Sequence, residues 1–104
     1  MTLMYIRPFE VKAEATPITV TGTTANTAIG RSGVGTQSVR LANVGTQVVF
    51  FNLGKSSAVT ATTSNTPLLP NTTETFTLLN DITHIAAIAA TTGSTLYVTT
   101  GESA

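Results

Sequence analysis

Short alternations of apolar and polar residues run through much of the chain, and they predict β-strands rather than helices. In each segment the apolar residues fall on every second position, which places them on one face of an extended strand. Such segments recur at roughly 8 to 12 residue intervals, a spacing typical of antiparallel sandwiches and barrels. The clearest of them are residues 18–21, 38–42, 73–78 and 95–100.

Glycine, asparagine and proline mark the turns between these segments. Asn43–Thr46 separates the strand at 38–42 from a second strand at 47–52, and this predicts a hairpin. Thr91–Ser94 predicts a second hairpin turn near the end of the chain. Pro67 and Pro70 lie close together, so the segment between them is excluded from the centre of a sheet.

Residues 83–90 are open to two interpretations. Ile82, Ile85, Ala86 and Ile88 fit the apolar stripe of a helix. The same residues lie between predicted strands and are bracketed by turn residues, which favours a buried strand.

The segment 47–52 is apolar on both faces. Phe50 and Phe51 are adjacent, so one points into the core and the other points away from it. Both faces of this strand therefore need a cover. We expect that cover to come either from the N-terminal part of the chain or from another subunit.

These patterns divide the chain into two parts. Residues 1–36 are irregular and include a glycine-rich stretch at 30–35, which indicates an arm with one or two strands and a flexible segment. Residues 37–104 carry the regular strands and form the body. The predicted fold is all-β, an antiparallel, jelly-roll-like β-sandwich with an extended N-terminal arm.

Composition supports this prediction and narrows the possible partners. About a fifth of the residues are threonine, which is β-branched and favours strands. Charged residues make up only 10% and the formal net charge is zero, which disfavours nucleic acid as a partner. No stretch approaches the roughly 20 apolar residues of a membrane helix, so we expect no membrane partner. Cysteine is absent, which favours cytosolic synthesis or stabilisation by oligomerisation.

The chain offers little material for catalysis or for holding a metal. Its one histidine, His84, is three residues from Asp81, a spacing that places the two side chains on opposite faces of a strand. The five carboxylates are scattered and show no calcium-loop spacing. We therefore predict no enzyme activity, no catalytic residues, no cofactor and no metal site.

One stretch resembles a known class of proteins. Residues 39–51 form a strand ending in Asn43-Val44-Gly45, followed by a strand ending in aromatics. A proline-rich segment, the strand 73–78, the segment 84–89 and the closing segment 93–101 follow in the same order. This order is similar to that of small virion proteins of tailed bacteriophages, of the β-sandwich capsid decoration, or cement, type. The resemblance covers roughly residues 37–101 and implies no catalytic residues.

The resemblance implies a structural protein on the capsid surface of a virion, made in the host cytoplasm. Its expected partner is the major capsid protein, and it is expected to form a homo-oligomer on the particle. Alternatives are a tail or head–tail junction component, or a carbohydrate-binding β-sandwich for host adsorption. The predicted partner-binding residues are Tyr5, Ile6, Phe9, Val11 and Phe51.

Overall fold

The chain folds into two antiparallel sheets packed against each other. A computed structural model describes residues 10–11, 15–29, 36–78, 81–91 and 93–103. Within these ranges there are strands and turns but no helix. The strands are β1 (Glu10–Val11), β2 (Thr16–Val20), β3 (Ala25–Ala28), β4 (Thr36–Asn43), β5 (Val49–Gly54), β6 (Thr66–Leu68), β7 (Thr72–Thr77), β8 (His84–Ala89) and β9 (Ser94–Ser103).

The strand order is that of a jelly roll. Sheet A has the order β2-β9-β4-β7, with β1 pairing beside β2 along the same side of β9. Sheet B has the order β3-β8-β5-β6. From β2 onward every connection except that between β5 and β6 passes from one sheet to the other, which is the jelly-roll arrangement. The predicted all-β, jelly-roll-like antiparallel sandwich is confirmed, and so is the strand interpretation of residues 83–90.

The predicted arm contributes strands to both sheets. β2 forms five register pairs with β9, from Thr16 opposite Val98 to Val20 opposite Ser94. β3 forms four pairs with β8 at the border of sheet B. Residues 1–9, 12–14 and 30–35 lie outside the described residues, and so does the predicted extension of the arm away from the body.

Both predicted hairpins are wrong. β4 pairs with β9 and β7, whereas β5 pairs with β6 and β8 in the other sheet. β8 and β9 likewise belong to different sheets. Turn residues signal a reversal of the chain, but a reversal can cross to the opposite sheet as readily as it can return beside the same strand. Here Leu41 and Phe51 both point inward from opposite sheets, so the crossing buries both.

Alternation along the strands builds the core between the sheets. The inward positions carry aliphatic residues, and Leu41, Val49, Ile85 and Leu96 have no exposed surface. Burial of such a side chain contributes about 1.5–3 kcal/mol relative to leaving it in water. Phe51 joins this core with 5% of its surface exposed, and Phe50 on the opposite face of β5 is half-buried.

A buried asparagine closes one end of the sandwich. The Asn43 side chain is 1% exposed and donates to the carbonyl oxygens of Gln47 (2.8 Å) and Leu68 (3.0 Å). Its Oδ1 accepts from the Gly45 N–H at 3.1 Å and from the Ser94 hydroxyl at 2.7 Å. All four hydrogen-bonding positions of the amide are used, so the side chain ties β4, β6 and β9 together. We call this arrangement the Asn43 network.

Gly45 is required by this network. A Cβ at Gly45 would lie 2.8 Å from the Cα of Ser94 and would overlap the Ser94 hydroxyl. Any other residue would therefore push the β4–β5 connection away from β9.

Candidate partner-binding surfaces

Part of the outer face of sheet B, around Ala86, is covered by the chain itself. Ala86 points away from the core, since its neighbours Ile85 and Ala87 point inward, yet it has no exposed surface. The β5–β6 connection, residues 55–65, passes over this face, and Ala61 within it is 3% exposed. We call residues 55–65 the covering loop. Part of the second cover for β5 therefore comes from this loop, which was not among the predicted covers.

Side-chain amides hold the covering loop in place. The Asn26 amide on β3 donates to the Ser57 carbonyl at 2.9 Å, and the Asn52 amide on β5 donates to the Thr60 carbonyl at 3.0 Å. The Ala61 N–H donates to the Thr24 hydroxyl at 2.8 Å. These contacts satisfy loop backbone groups that would otherwise lie unpaired against the sheet.

An apolar groove remains open on another side of the sandwich. It has a volume of about 270 Å³, and the side chains that line it are mainly apolar: Phe51, Asn52, Leu53, Thr66 and Phe76. The rings of Phe51 and Phe76 contact each other with centroids 5.1 Å apart and planes inclined by 55°. Phe51 forms the buried floor, while Leu53 and Phe76 are only partly buried.

The groove exists because β6 is shorter than β5. The two strands pair from Val49 opposite Leu68 to Phe51 opposite Thr66, and β5 then continues for three residues without β6. Pro67 lies within β6 and limits its ladder, since proline has no N–H to donate. Apolar side chains near the end of β5 are therefore left beside a gap in sheet B.

Strand β7 forms the other border of the groove. It lies at one edge of sheet A, and no described strand pairs with its far side. Thr73, Thr75 and Thr77 are exposed, and Phe76 faces the groove. Unpaired backbone along an outer strand is a template for addition of another strand. The groove and the β7 edge together form the most distinctive open surface of the described residues.

Three other apolar side chains are exposed singly. Val44 (54% exposed) and Leu69 (57% exposed) lie on the connections beside the Asn43 network, at the closed end of the sandwich. Tyr97 (38% exposed) lies on the outer face of sheet A, between Pro17 of β2 and Ala42 of β4 in the register. Tyr97 alternates with the buried Leu96 and Val98 along β9, whereas no such alternation marks Val44 or Leu69.

The five predicted contact residues are not brought together in the described structure. Tyr5, Ile6 and Phe9 lie outside the described residues, and Val11 is described only through its backbone in β1. Phe51 lies in the core, and only the groove gives it an opening toward solvent. Leu53 and Thr66 were not predicted as groove residues, because the gap depends on where β6 begins.

The titratable side chains do not form a cluster in the described part of the chain. His84 Nδ1 lies 2.8 Å from the Thr83 hydroxyl, whereas Asp81 is paired with Lys55 at 2.9 Å. Among the described residues, no group of three or more histidines and carboxylates could hold a metal ion. Those same residues include no helix with the length and apolar character needed to cross a membrane.

Comparison with known proteins adds no family. No protein-family model matches the chain, and no curated protein is significantly similar to it.

Proposed function

We propose that this protein is a structural component of a bacteriophage virion, a capsid decoration protein that stabilises the head by bridging major capsid subunits. The observation that carries the proposal is the apolar groove beside the unpaired β7 edge, a surface that an assembly would cover. The jelly roll formed by β2 to β9 supports it, because viral capsid proteins use this architecture repeatedly. The order of motifs over residues 37–101 supports it independently of the fold.

In this role the sandwich acts as a rigid clamp. Apolar side chains of a capsid subunit enter the groove and displace water from Phe51, Leu53 and Phe76. Each contact contributes little, but many copies on one particle add their contacts into a large stabilisation of the shell. The low content of charged residues suits a surface that is buried in contacts with other subunits.

The copy number on purified particles tests the proposal most directly. We expect hundreds of copies for each particle, and we expect particles that lack the protein to lose their genome at a lower temperature. Six or twelve copies would instead assign the protein to a vertex, a tail or a head–tail junction. Absence from purified virions would overturn the proposal.

A pair of matched variants tests the groove. Thr66→Lys places a charge at the rim of the groove on an exposed residue, and we expect it to weaken binding to undecorated particles by about tenfold or more. Thr60→Lys makes the same change on the covering loop and serves as the control. Equal binding by both variants would show that the capsid contact lies elsewhere, even if the protein is a decoration protein.

A carbohydrate-binding function is the second candidate, and Tyr97 is the observation that favours it. An exposed ring between Pro17 and Ala42 on the outer face of sheet A offers a surface on which a sugar ring can stack. If host glycans are the ligand, Tyr97→Ala will abolish binding on a glycan array and Thr66→Lys will not. No binding of the unchanged protein to any glycan would remove this candidate.

A further inference from the structure

We infer that two copies of this protein pair through their β7 strands about a two-fold axis at Thr75, which joins their A sheets into one continuous sheet. The pairing goes beyond the proposed virion role, since it concerns two copies of the chain without a particle. Either proposal can fail while the other holds.

The hydrogen-bonding direction of β7 identifies which backbone groups are available. The Leu78 N–H donates to the Gln37 carbonyl of β4 at 2.8 Å, in line with the register that pairs Thr77 with Ser38. Backbone direction alternates along an antiparallel strand, so Phe76 and Glu74 also point toward β4. Thr73, Thr75 and Thr77 consequently direct their N–H and C=O groups away from β4, toward the open side.

Among the outer strands of the described residues, β7 is the least protected against such pairing. β7 has six residues and no proline. β2 contains Pro17, β6 has only three residues with Pro67 among them, and β3 has four residues. Proline, short length and charged side chains are the usual devices that prevent addition of another strand, and β7 carries only the last of these, at Glu74.

Charge and sequence select one register for a second copy. A two-fold axis at Glu74 would set two carboxylates directly opposite each other, which is unfavourable. An axis at Thr75 instead places Glu74 opposite Phe76 and Thr73 opposite Thr77. Each of the three threonines then faces another threonine, which is a favourable cross-strand pair. The backbone N–H and C=O groups of all three pair with those of the other copy. This edge is therefore self-complementary, as a two-fold contact requires.

The register with its axis at Thr75 pairs more residues of β7 than the register with its axis at Phe76. An axis at Phe76 would leave only Thr75 and Thr77 of the three outward-pointing residues paired within β7. The Thr75 axis pairs all three and gives six backbone hydrogen bonds between the two copies. Because Glu74 is exposed, its carboxylate stays in water at the rim of the groove of the other copy.

Single cysteines test both the pairing and its register, because the chain contains no cysteine of its own. In the proposed dimer the two Thr75 Cα atoms are about 5.5 Å apart, within the range that a disulfide spans. We expect purified Thr75→Cys protein to form a disulfide-linked dimer under mild oxidation. Thr73→Cys faces Thr77 rather than itself, so we expect it to cross-link about tenfold more slowly.

Mixtures of variants sharpen the test. A mixture of Thr73→Cys and Thr77→Cys proteins should form a mixed disulfide dimer in the Thr75 register. Efficient cross-linking between Thr75→Cys and Thr77→Cys proteins would instead indicate the Phe76 register and overturn the proposed axis. Equal, slow cross-linking by every combination would overturn the pairing altogether.

A proline variant checks the pairing without cysteine chemistry. The Thr75 N–H points away from β4, so Thr75→Pro removes no hydrogen bond within the sandwich. We expect this variant to keep its fold by circular dichroism and to sediment as a monomer at concentrations where the unchanged protein is a dimer. Identical sedimentation of the two proteins as dimers would contradict a contact through β7.

Discussion

Two apolar surfaces of this small sandwich differ in whether a described segment of the chain covers them. On the outer face of sheet B the covering loop buries Ala86 completely, and the amides of Asn26 and Asn52 hold the loop down. In the groove beside β7, Leu53 and Phe76 remain partly exposed, and no described segment covers them. The difference separates apolar surface that serves folding from apolar surface that is available for assembly.

The Asn43 network marks where the open surface ends. Its amide binds the Leu68 carbonyl of β6, and the Asn43 carbonyl accepts from the Asn71 N–H just before β7. The flank between β6 and β7 is therefore closed at this end and opens only toward Phe51 and Phe76. Four substitutions test this difference, and their expected effects on stability decrease in the order Phe51→Ala, Asn43→Ala, Gly54→Ala and Asp81→Asn.

Phe51→Ala is expected to have the largest effect, because Phe51 is both the floor of the groove and part of the core. Loss of a buried phenylalanine costs about 3–5 kcal/mol in the free energy of unfolding. Equilibrium urea denaturation measures this loss. Phe50→Ala is the matched control on the half-buried face of the same strand, and we expect about half the loss or less. Equal losses would mean that the groove floor is not core.

Asn43→Ala is expected to cost about 3 kcal/mol, because it deletes four hydrogen bonds and leaves buried partners unsatisfied. Local unfolding in this variant should extend from β6 into the connections beside it. Hydrogen exchange at residues 66–71 measures that spread. Asn26→Ala removes an exposed amide with one hydrogen bond, so it should cost less than half as much. A loss in Asn43→Ala no greater than in Asn26→Ala would show that the network does not close this end.

Gly54→Ala tests the covering loop. A Cβ at Gly54 would lie 2.6 Å from Cγ2 of Val59 in the loop, so Val59 must move. We expect a loss of about 1–3 kcal/mol in the free energy of unfolding and faster proteolysis within residues 55–65. Gly22→Ala is the control, since its Cβ would meet no atom within 4 Å. Slower or unchanged proteolysis of the Gly54→Ala loop would contradict a cover that depends on this close approach.

Much of this contrast was beyond prediction from the sequence. The strands followed from alternation, and β8 was identified as a strand because turn residues bracket it. The pairing of strands did not follow, since Asn43–Thr46 signals a reversal without indicating to which sheet the chain returns. The covering loop was also hidden, because one of its anchors, Asn26, precedes its partner Ser57 by 31 residues.

The candidate site shows the same limit. The sequence predicted that one of Phe50 and Phe51 faces outward, and the structure assigns the core to Phe51. The groove depends on β6 beginning at Thr66, opposite Phe51 and three residues before the end of β5, and this mismatch follows from the strand register. Exposed Val44 and Leu69 carry no pattern that distinguishes them from core residues.

The ion pair between Lys55 and Asp81 gives the smallest expected effect. It joins the start of the covering loop to the approach of β8 at 2.9 Å, but the two side chains are 71% and 58% exposed. Exposed pairs of this kind are screened by salt and contribute little. We therefore expect Asp81→Asn to shift the urea midpoint less than any variant above, and less still at high ionic strength.

The pH dependence of that small shift has a definite sign. The hydrogen bond from Lys55 to Asp81, and the charge of Asp81, raise the pKa of Lys55 above its ordinary value of 10.5. A raised lysine pKa adds stability that is fully present below 10.5 and is lost as the pH rises through the folded-state value. The midpoints of the unchanged protein and Asp81→Asn should therefore differ by a constant amount between about pH 6 and 9, and converge only above 10.5. Convergence near neutral pH would show that the difference between the two proteins does not come from the charged Lys55–Asp81 pair.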